Sequence, residues 1–187
     1  MAIGWFDRDV RGRTVAMSVA ALVAVFLPVQ STASRFRAMT GEGLLDLGGG
    51  DTPAEHLFGY SPDHAYNLLV AYGPNGRRSH VRFTLLCDVP FPMALYICGS
   101  LMIRHAWQRP DVRRRLAIVP LAYLVADYAE NAGILTMLVS YPKRRDAVAR
   151  LTATANVAKN ALVTSLVLAI ASGYLDRLNP RRRRRYS

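Results

Sequence analysis

A single apolar run, LAIVPLAYLVADYAENAGILTMLVS from Leu116 to Ser140, limits the fold of this chain more than any other segment. About 20 apolar residues cross the hydrocarbon core of a bilayer as a helix, and this run is long enough to do so. Its centre nevertheless holds Asp127, Glu130 and Asn131. An ionisable group at that depth costs about 3 kcal/mol and usually faces a partner, a cavity or the bundle interior. The sequence therefore predicts a membrane helix with a polar face.

Three further apolar runs accompany this one, and together they indicate a polytopic membrane protein. The chain is 51% hydrophobic, and its 24 lysine and arginine residues cluster between long uncharged stretches. That distribution is typical of small membrane proteins rather than of soluble basic ones. We predict an all-α fold with a single integral-membrane domain, residues 1–187, built as a bundle of four transmembrane helices. The predicted spans are 14–29, 83–103, 116–140 and 151–175.

The first apolar run leaves two interpretations open. It is short, ends at Pro28 and is followed by the small residues 31–34, which resemble a signal-peptidase site. With its flanks, however, the run just spans a bilayer. Length and flanks favour a retained first helix over a cleaved signal.

The hydrophilic connection over residues 30–82 has two parts. Its glycine-rich first half is predicted to be a loop. In its second half Ser61 can cap a helix, Pro62 suits the first helical position, and Gly73 can end the helix. The apolar residues between them share one face: Ala65, Tyr66, Leu68, Leu69 and Tyr72. We predict a short amphipathic helix at the membrane interface.

Positive charges outside the predicted spans set the expected orientation. The N-terminal segment, the 104–115 connection and the tail, residues 176–187, together hold more lysine and arginine than the other two connections. The positive-inside rule then places both termini in the cytoplasm of a multi-pass protein of the cell membrane. The tail, with its run Arg181 to Arg185, is expected to contact anionic lipid headgroups. No nucleic-acid partner is expected, since no reader motif accompanies the run.

Polar residues of three predicted spans lie at similar depth, at or just outward of the midplane. They are Asp88 on the second span, Asp127, Glu130 and Asn131 on the third, and Asn156, Lys159 and Asn160 on the fourth. Residues three or four apart share one helical face, and helices of alternating direction bring equal depths together. We therefore expect these side chains to converge on one polar pocket. Pro90 and Pro92 add a helix break beside Asp88.

The charges of this pocket indicate acid–base chemistry. Lys159 neutralises one carboxylate, while burial and like-charge repulsion favour the neutral form of another, and a carboxylic acid held neutral is a proton donor. We assign Glu130 as general acid, with Asp127 or Asp88 as base or counter-charge. The residues expected to bind the substrate are Asn131, Lys159, Asn156, Asn160, Tyr96 and Tyr123. No metal is expected, since no metal-ligand spacing occurs.

The placement of Asp88 and of the Asp127–Glu130 pair resembles that in the integral-membrane terpene cyclases. These small helical proteins use membrane-embedded aspartate and glutamate to protonate an epoxide or olefin of an isoprenoid. The resemblance implies a cyclase or isomerase that acts on a lipophilic, isoprenoid substrate without metal or organic cofactor.

Two other classes of protein fit the same residues. A proton- or cation-coupled transporter subunit would use the acids as carriers, and at 187 residues without an inverted repeat it would have to form a homo-oligomer. A non-catalytic membrane assembly protein would use them to hold helices together.

Overall fold

The computed structural model of the chain describes residues 10–41, 44 and 59–178. Helices account for 88% of these residues and none lies in a β-strand, which confirms the all-α prediction for this part. The arginine run Arg181 to Arg185 and most of the glycine-rich segment 42–58 lie outside the described residues. The helices are α1 Gly12–Thr40, α2 Pro62–Ala71, α3 Gly73–Phe83, α4 Pro90–Ala106, α5 Pro110–Leu116, α6 Ile118–Ser140 and α7 Asp146–Leu178, with a π-helical turn, Thr84–Asp88, before α4.

Three helical stretches of the described chain are long and apolar enough to cross a membrane: Gly12–Thr40, Gly73–Ala106 and Asp146–Leu178. Many of their large apolar side chains are exposed, for example Met17 and Leu168, as expected for a surface that faces lipid. These features agree with a membrane protein. The 23-residue helix α6 is not among the three, because the polar residues at its centre lower its hydropathy. The fourth crossing therefore stays a prediction.

The first helix extends beyond the predicted span 14–29. The helix α1 continues through Pro28 to Thr40 and so occupies part of the predicted connection. Proline removes one backbone hydrogen bond, and hydroxyl side chains can bond back to carbonyls of the preceding turn. Ser31 Oγ and Ser34 Oγ do this at 3.1 and 2.9 Å. The helix ends only at Gly41, whose φ of 79° is left-handed.

The helical stretch that contains the second predicted span, 83–103, begins before residue 83. One continuous helical stretch runs from Gly73 to Ala106. Because Pro90 has no N–H to donate, the regular α-helical pattern is interrupted in front of it. The backbone instead forms the π turn, in which the Val89 N–H bonds to the Thr84 carbonyl at 2.9 Å. The break expected beside Asp88 takes this form.

The helix α2 occupies the position predicted for the short helix. Ser61 Oγ accepts a 3.1 Å hydrogen bond from the His64 N–H, and Pro62 is the first helical residue. Its apolar residues named above are all buried. They belong to the main hydrophobic cluster, together with Phe36 of α1 and Met137 of α6. The apolar face of α2 thus packs against protein, and its location at a membrane interface stays a prediction.

The long helical stretches pack side by side in alternating directions. Toward the middle of α1 the ring of Phe26 lies 5.8 Å from that of Phe91, and toward its end the ring of Phe36 lies 5.5 Å from that of His80. The chain therefore returns antiparallel to α1. The helices α6 and α7 form the most extensive helix pair of the described chain, and they too are antiparallel.

A glycine permits the close approach of α6 and α7. A Cβ atom on Gly133 would lie 1.9 Å from Oγ1 and 3.0 Å from Cβ of Thr152. No larger residue fits at this crossing without a shift of one helix. The crossing lies one turn from Glu130, so it positions the polar residues of the two helices against each other.

Candidate functional site

A buried network of polar side chains joins α6 to α7 near the middle of the bundle. Glu130 is 0% exposed and Asn156 is 2% exposed, and the Asn156 amide donates a 2.6 Å hydrogen bond to Glu130 Oε1. Lys159 Nζ contacts Glu130 Oε2 and lies 3.5 Å from Asp127 Oδ1. One ammonium group therefore serves two buried carboxylates.

The spacing of these residues explains why they meet. On α7 the third and fourth positions after Asn156 are Lys159 and Asn160, so all three lie on one face. Asn160 Nδ2 donates to Asn156 Oδ1 at 3.3 Å, which directs the amide group of Asn156 toward Glu130. The face of α6 that carries Asp127 and Glu130 runs antiparallel to it. The network is thus a product of two matched helical faces.

Asp127 is held by neighbours on its own helix. Its oxygens accept hydrogen bonds from the Tyr123 hydroxyl at 3.2 Å and from Asn131 Nδ2 at 3.0 Å. Tyr123, Asp127 and Asn131 follow one another at four-residue spacing and are each 3% exposed or less. The Asn131 Oδ1 atom is also buried and has no hydrogen-bond partner among the described residues. A buried acceptor of this kind is costly unless another group donates to it.

Asp88 brings a third helical stretch to the cluster. It is the last residue of the π turn and is 8% exposed. Its backbone carbonyl lies 3.5 Å from Asn131 Nδ2. The neighbouring Val89 carbonyl accepts a hydrogen bond from Tyr128 at 3.1 Å. π turns occur often at functional sites.

Tyr96 is the candidate residue that the structure does not bring into this group. It lies two turns beyond Asp88 on α4 and is half-buried. No hydrogen bond between described residues joins it to the cluster. The structure therefore gathers Asp88, the polar residues of α6 and α7, and Tyr123, while their roles remain proposals.

Three carboxyl groups and one amino group make up the ionisable part of this cluster. If every group were ionised, Asp88, Asp127 and Glu130 would face one ammonium, that of Lys159. Buried like charges repel strongly at low dielectric, so a proton or a bound cation would stabilise this arrangement. Among the described residues no group of three or more His, Cys, Asp and Glu side chains is placed to hold a metal ion.

Comparison with known proteins adds no further constraint. No protein family, curated protein or solved structure matches the chain.

A second polar group, which the sequence interpretation missed, lies at the opposite end of α4. Arg104 is 4% exposed and Arg113 is 3% exposed, although arginines in connections were treated as topology signals. Arg113 Nε donates to the Trp107 carbonyl at 2.5 Å. Its neighbours Arg114 and Arg115 are exposed. No pattern in the sequence separates the buried arginine from the two that follow it.

Proposed function

We propose that the chain is an integral-membrane enzyme that performs acid–base chemistry on a lipophilic, isoprenoid substrate, as in a cyclase or isomerase. The observation that carries this proposal is the position of Lys159 between two buried carboxylates, with Asp88 on a third helical stretch beside them. Three acids and one ammonium leave a proton available inside the membrane. The apolar exterior of the bundle suits a substrate that arrives from the lipid.

The proposed roles follow from the contacts. Glu130 is the general acid, and its contact with Lys159 Nζ provides a route for reprotonation. Asp127 accepts hydrogen bonds from Tyr123 and Asn131, which stabilise its ionised form, so it stabilises positive charge on the substrate. Asp88 faces them from the π turn and takes the proton that the product releases. One proton enters the substrate and one leaves it.

The substrate-binding part of the proposal rests on the amides. The unpartnered Oδ1 of Asn131 is a hydrogen-bond acceptor for a hydroxyl-bearing substrate or product. The position of Glu130 is fixed by its contacts with Asn156 and Lys159, and Asn160 in turn bonds to Asn156. Tyr123 adds an aromatic face that attracts cationic centres. We retain Tyr96 as a contact for the apolar part of the substrate, away from the acids.

The membrane placement is part of the same proposal. With α6 as a fourth crossing, the four stretches form a transmembrane bundle with both termini in the cytoplasm of a cell-membrane protein, and α2 lies at the outer interface. Basic residues at the termini then contact anionic lipid headgroups.

The test compares the wild-type chain with Glu130→Gln and Asp127→Asn in membranes, and measures extracted isoprenoid and lipid pools by mass spectrometry. The exposed Asp111→Asn serves as a matched control, because it removes a carboxylate far from the cluster. We expect both cluster variants to lose one product mass or isomer while the amount of folded protein stays normal. Unchanged products together with loss of folded protein would reject the enzyme and favour the assembly role.

Specific observations favour two alternatives. The network joins α6 to α7 through Glu130 and Asn156, as expected for a non-catalytic membrane assembly protein. The three carboxyl groups of the cluster also suit a proton- or cation-coupled transporter subunit, which would function as a homo-oligomer. Proton uptake into vesicles that requires Glu130, without any change in lipid products, would identify the transporter.

A further inference from the structure

A cavity of about 440 Å³ lies at the end of the bundle where α1 begins and where α4 and α7 end. Its lining residues are Val10, Arg104, His105, Gln108, Arg113 and Arg177. Its lining residue Arg104 lies 16 residues after Asp88, which is about 24 Å along the helix at 1.5 Å per residue. The cavity is therefore separate from the acid cluster. Its volume is within the range of small-molecule sites.

The cavity is strongly cationic. Three of its six lining residues are arginines, and none of these described lining residues is acidic. Arg104 and Arg113 are more than nine-tenths buried. Arg177 Nε is also buried and has no hydrogen-bond partner among the described residues. An oxygen acceptor that enters the cavity would satisfy the Arg177 Nε donor.

The local structure holds these groups in place. Arg113 Nε donates to the Trp107 carbonyl at 2.5 Å, and the Trp107 indole N–H donates to the Ala169 carbonyl of α7 at 2.9 Å. The His105 Nδ1 atom lies 3.0 Å from the Val10 carbonyl, so the start of α1 is joined to the end of α4. The Arg113 guanidinium is therefore oriented before any ligand binds.

We propose that this cavity binds a phosphate group. Arginine matches phosphate geometry with paired N–H donors, and several arginines with histidine and glutamine supply donors around one anion. The cavity lies where two of the apolar stretches end, Gly73–Ala106 and Asp146–Leu178, with Trp107 at the same level. That is the depth of lipid phosphates in a bilayer. The phosphate belongs either to a lipid headgroup or to a soluble phosphorylated compound.

The test uses the purified full-length chain in maltoside micelles and measures the thermal unfolding temperature. Phosphatidic acid, phosphatidylcholine and pyrophosphate are titrated separately. We expect phosphatidic acid or pyrophosphate to stabilise the wild type. Arg177→Gln should weaken that binding by about tenfold or more, because a charge-assisted hydrogen bond is lost. Arg113→Lys, which keeps the charge but loses the planar fork, should weaken it as well.

The matched control is Arg115→Gln, which removes the same charge from an exposed position two residues after Arg113. Stabilisation by phosphatidic acid and by pyrophosphate would show that the phosphate group itself is recognised. Stabilisation by only one of these two compounds would identify the lipid or the soluble compound as the source of the phosphate. Equal weakening by Arg115→Gln and Arg177→Gln would mean general attraction to the basic surface and would overturn the proposal. Failure of phosphatidic acid and pyrophosphate alike to stabilise the wild type would also overturn the proposal. The outcome is independent of the proposed enzymatic reaction.

Discussion

Asn156 on α7 donates a 2.6 Å hydrogen bond to Glu130 on α6, and both side chains are almost completely buried. The bond connects the two helices that form the most extensive pair in the described chain. When one partner of a buried hydrogen bond is removed, the other partner is left with its full desolvation cost. This contact is therefore both a helix connection and the anchor of the proposed general acid.

Replacement of Lys159 by methionine should destabilise the chain by about 3–5 kcal/mol, since two buried carboxylates would lose their shared cation. Adding Glu130→Gln to Lys159→Met should recover part of that loss, because only one of the two carboxylates then remains. Chemical unfolding in detergent micelles measures both values. Lys143→Met, at an exposed lysine, is the matched control and should change the unfolding free energy little. Equal effects at the two lysines would contradict the buried pairing.

Gly133→Ala should destabilise the packing of α6 on α7 by about 1–3 kcal/mol. The added Cβ would overlap Thr152 Oγ1, at 1.9 Å, and α7 would have to move away from Glu130. Thr152→Ala in the same chain should restore part of the stability, because it removes the nearest atom. The free energy of unfolding gives both results. Gly12→Ala is the control, since its nearest neighbour would be His105 Cε1 at 3.9 Å. Similar losses at both glycines would rule out the close crossing.

Ser61→Ala should cost about 1 kcal/mol, the usual value for loss of a helix N-cap. Ser61 Oγ accepts the His64 N–H, which would otherwise lack an intrahelical partner. Because α2 contributes to the main hydrophobic cluster, the loss should appear in global unfolding. Ser31→Ala provides the comparison: that hydroxyl bonds back within α1 and caps nothing, so little change is expected. A cost at Ser31 as large as at Ser61 would argue against the cap.

The features that could be predicted from the sequence depend on residues close together in the chain. Ser61 and Pro62 define a helix start by local chemistry alone, and the structure begins α2 there. The three-residue spacing of Asp127 and Glu130 places both on one face of α6. Counting residues along the two antiparallel helices, at 1.5 Å per residue, gives the depth of these acids in the membrane relative to Lys159. Those residues do meet in the structure.

Features that depend on three-dimensional packing could not be predicted in the same way. The close approach at Gly133 depends on Thr152, which comes from another helix. The position of Tyr96 depends on the rotation of α4 after the π turn, which depth alone does not determine. The continuation of α1 through Pro28 to Thr40 could not be predicted either, because a proline within an apolar run is compatible with a continuous helix as well as with a helix end.

The crossing of α6 can be decided by the accessibility of engineered cysteines on either side of it. The 23 residues of α6 extend about 34 Å, enough to place Arg115 and Lys143 on opposite membrane faces. In a chain without native cysteines, we expect a membrane-impermeant maleimide to label Lys143→Cys in intact cells. Arg115→Cys should react only after the cells are permeabilised. Arg13→Cys and Arg37→Cys lie near the two ends of α1 and report opposite membrane faces for a helix that is apolar enough to cross. If both α6 positions react from the same side while the α1 pair is divided, α6 does not cross, and the proposed acids lie outside a four-helix transmembrane bundle.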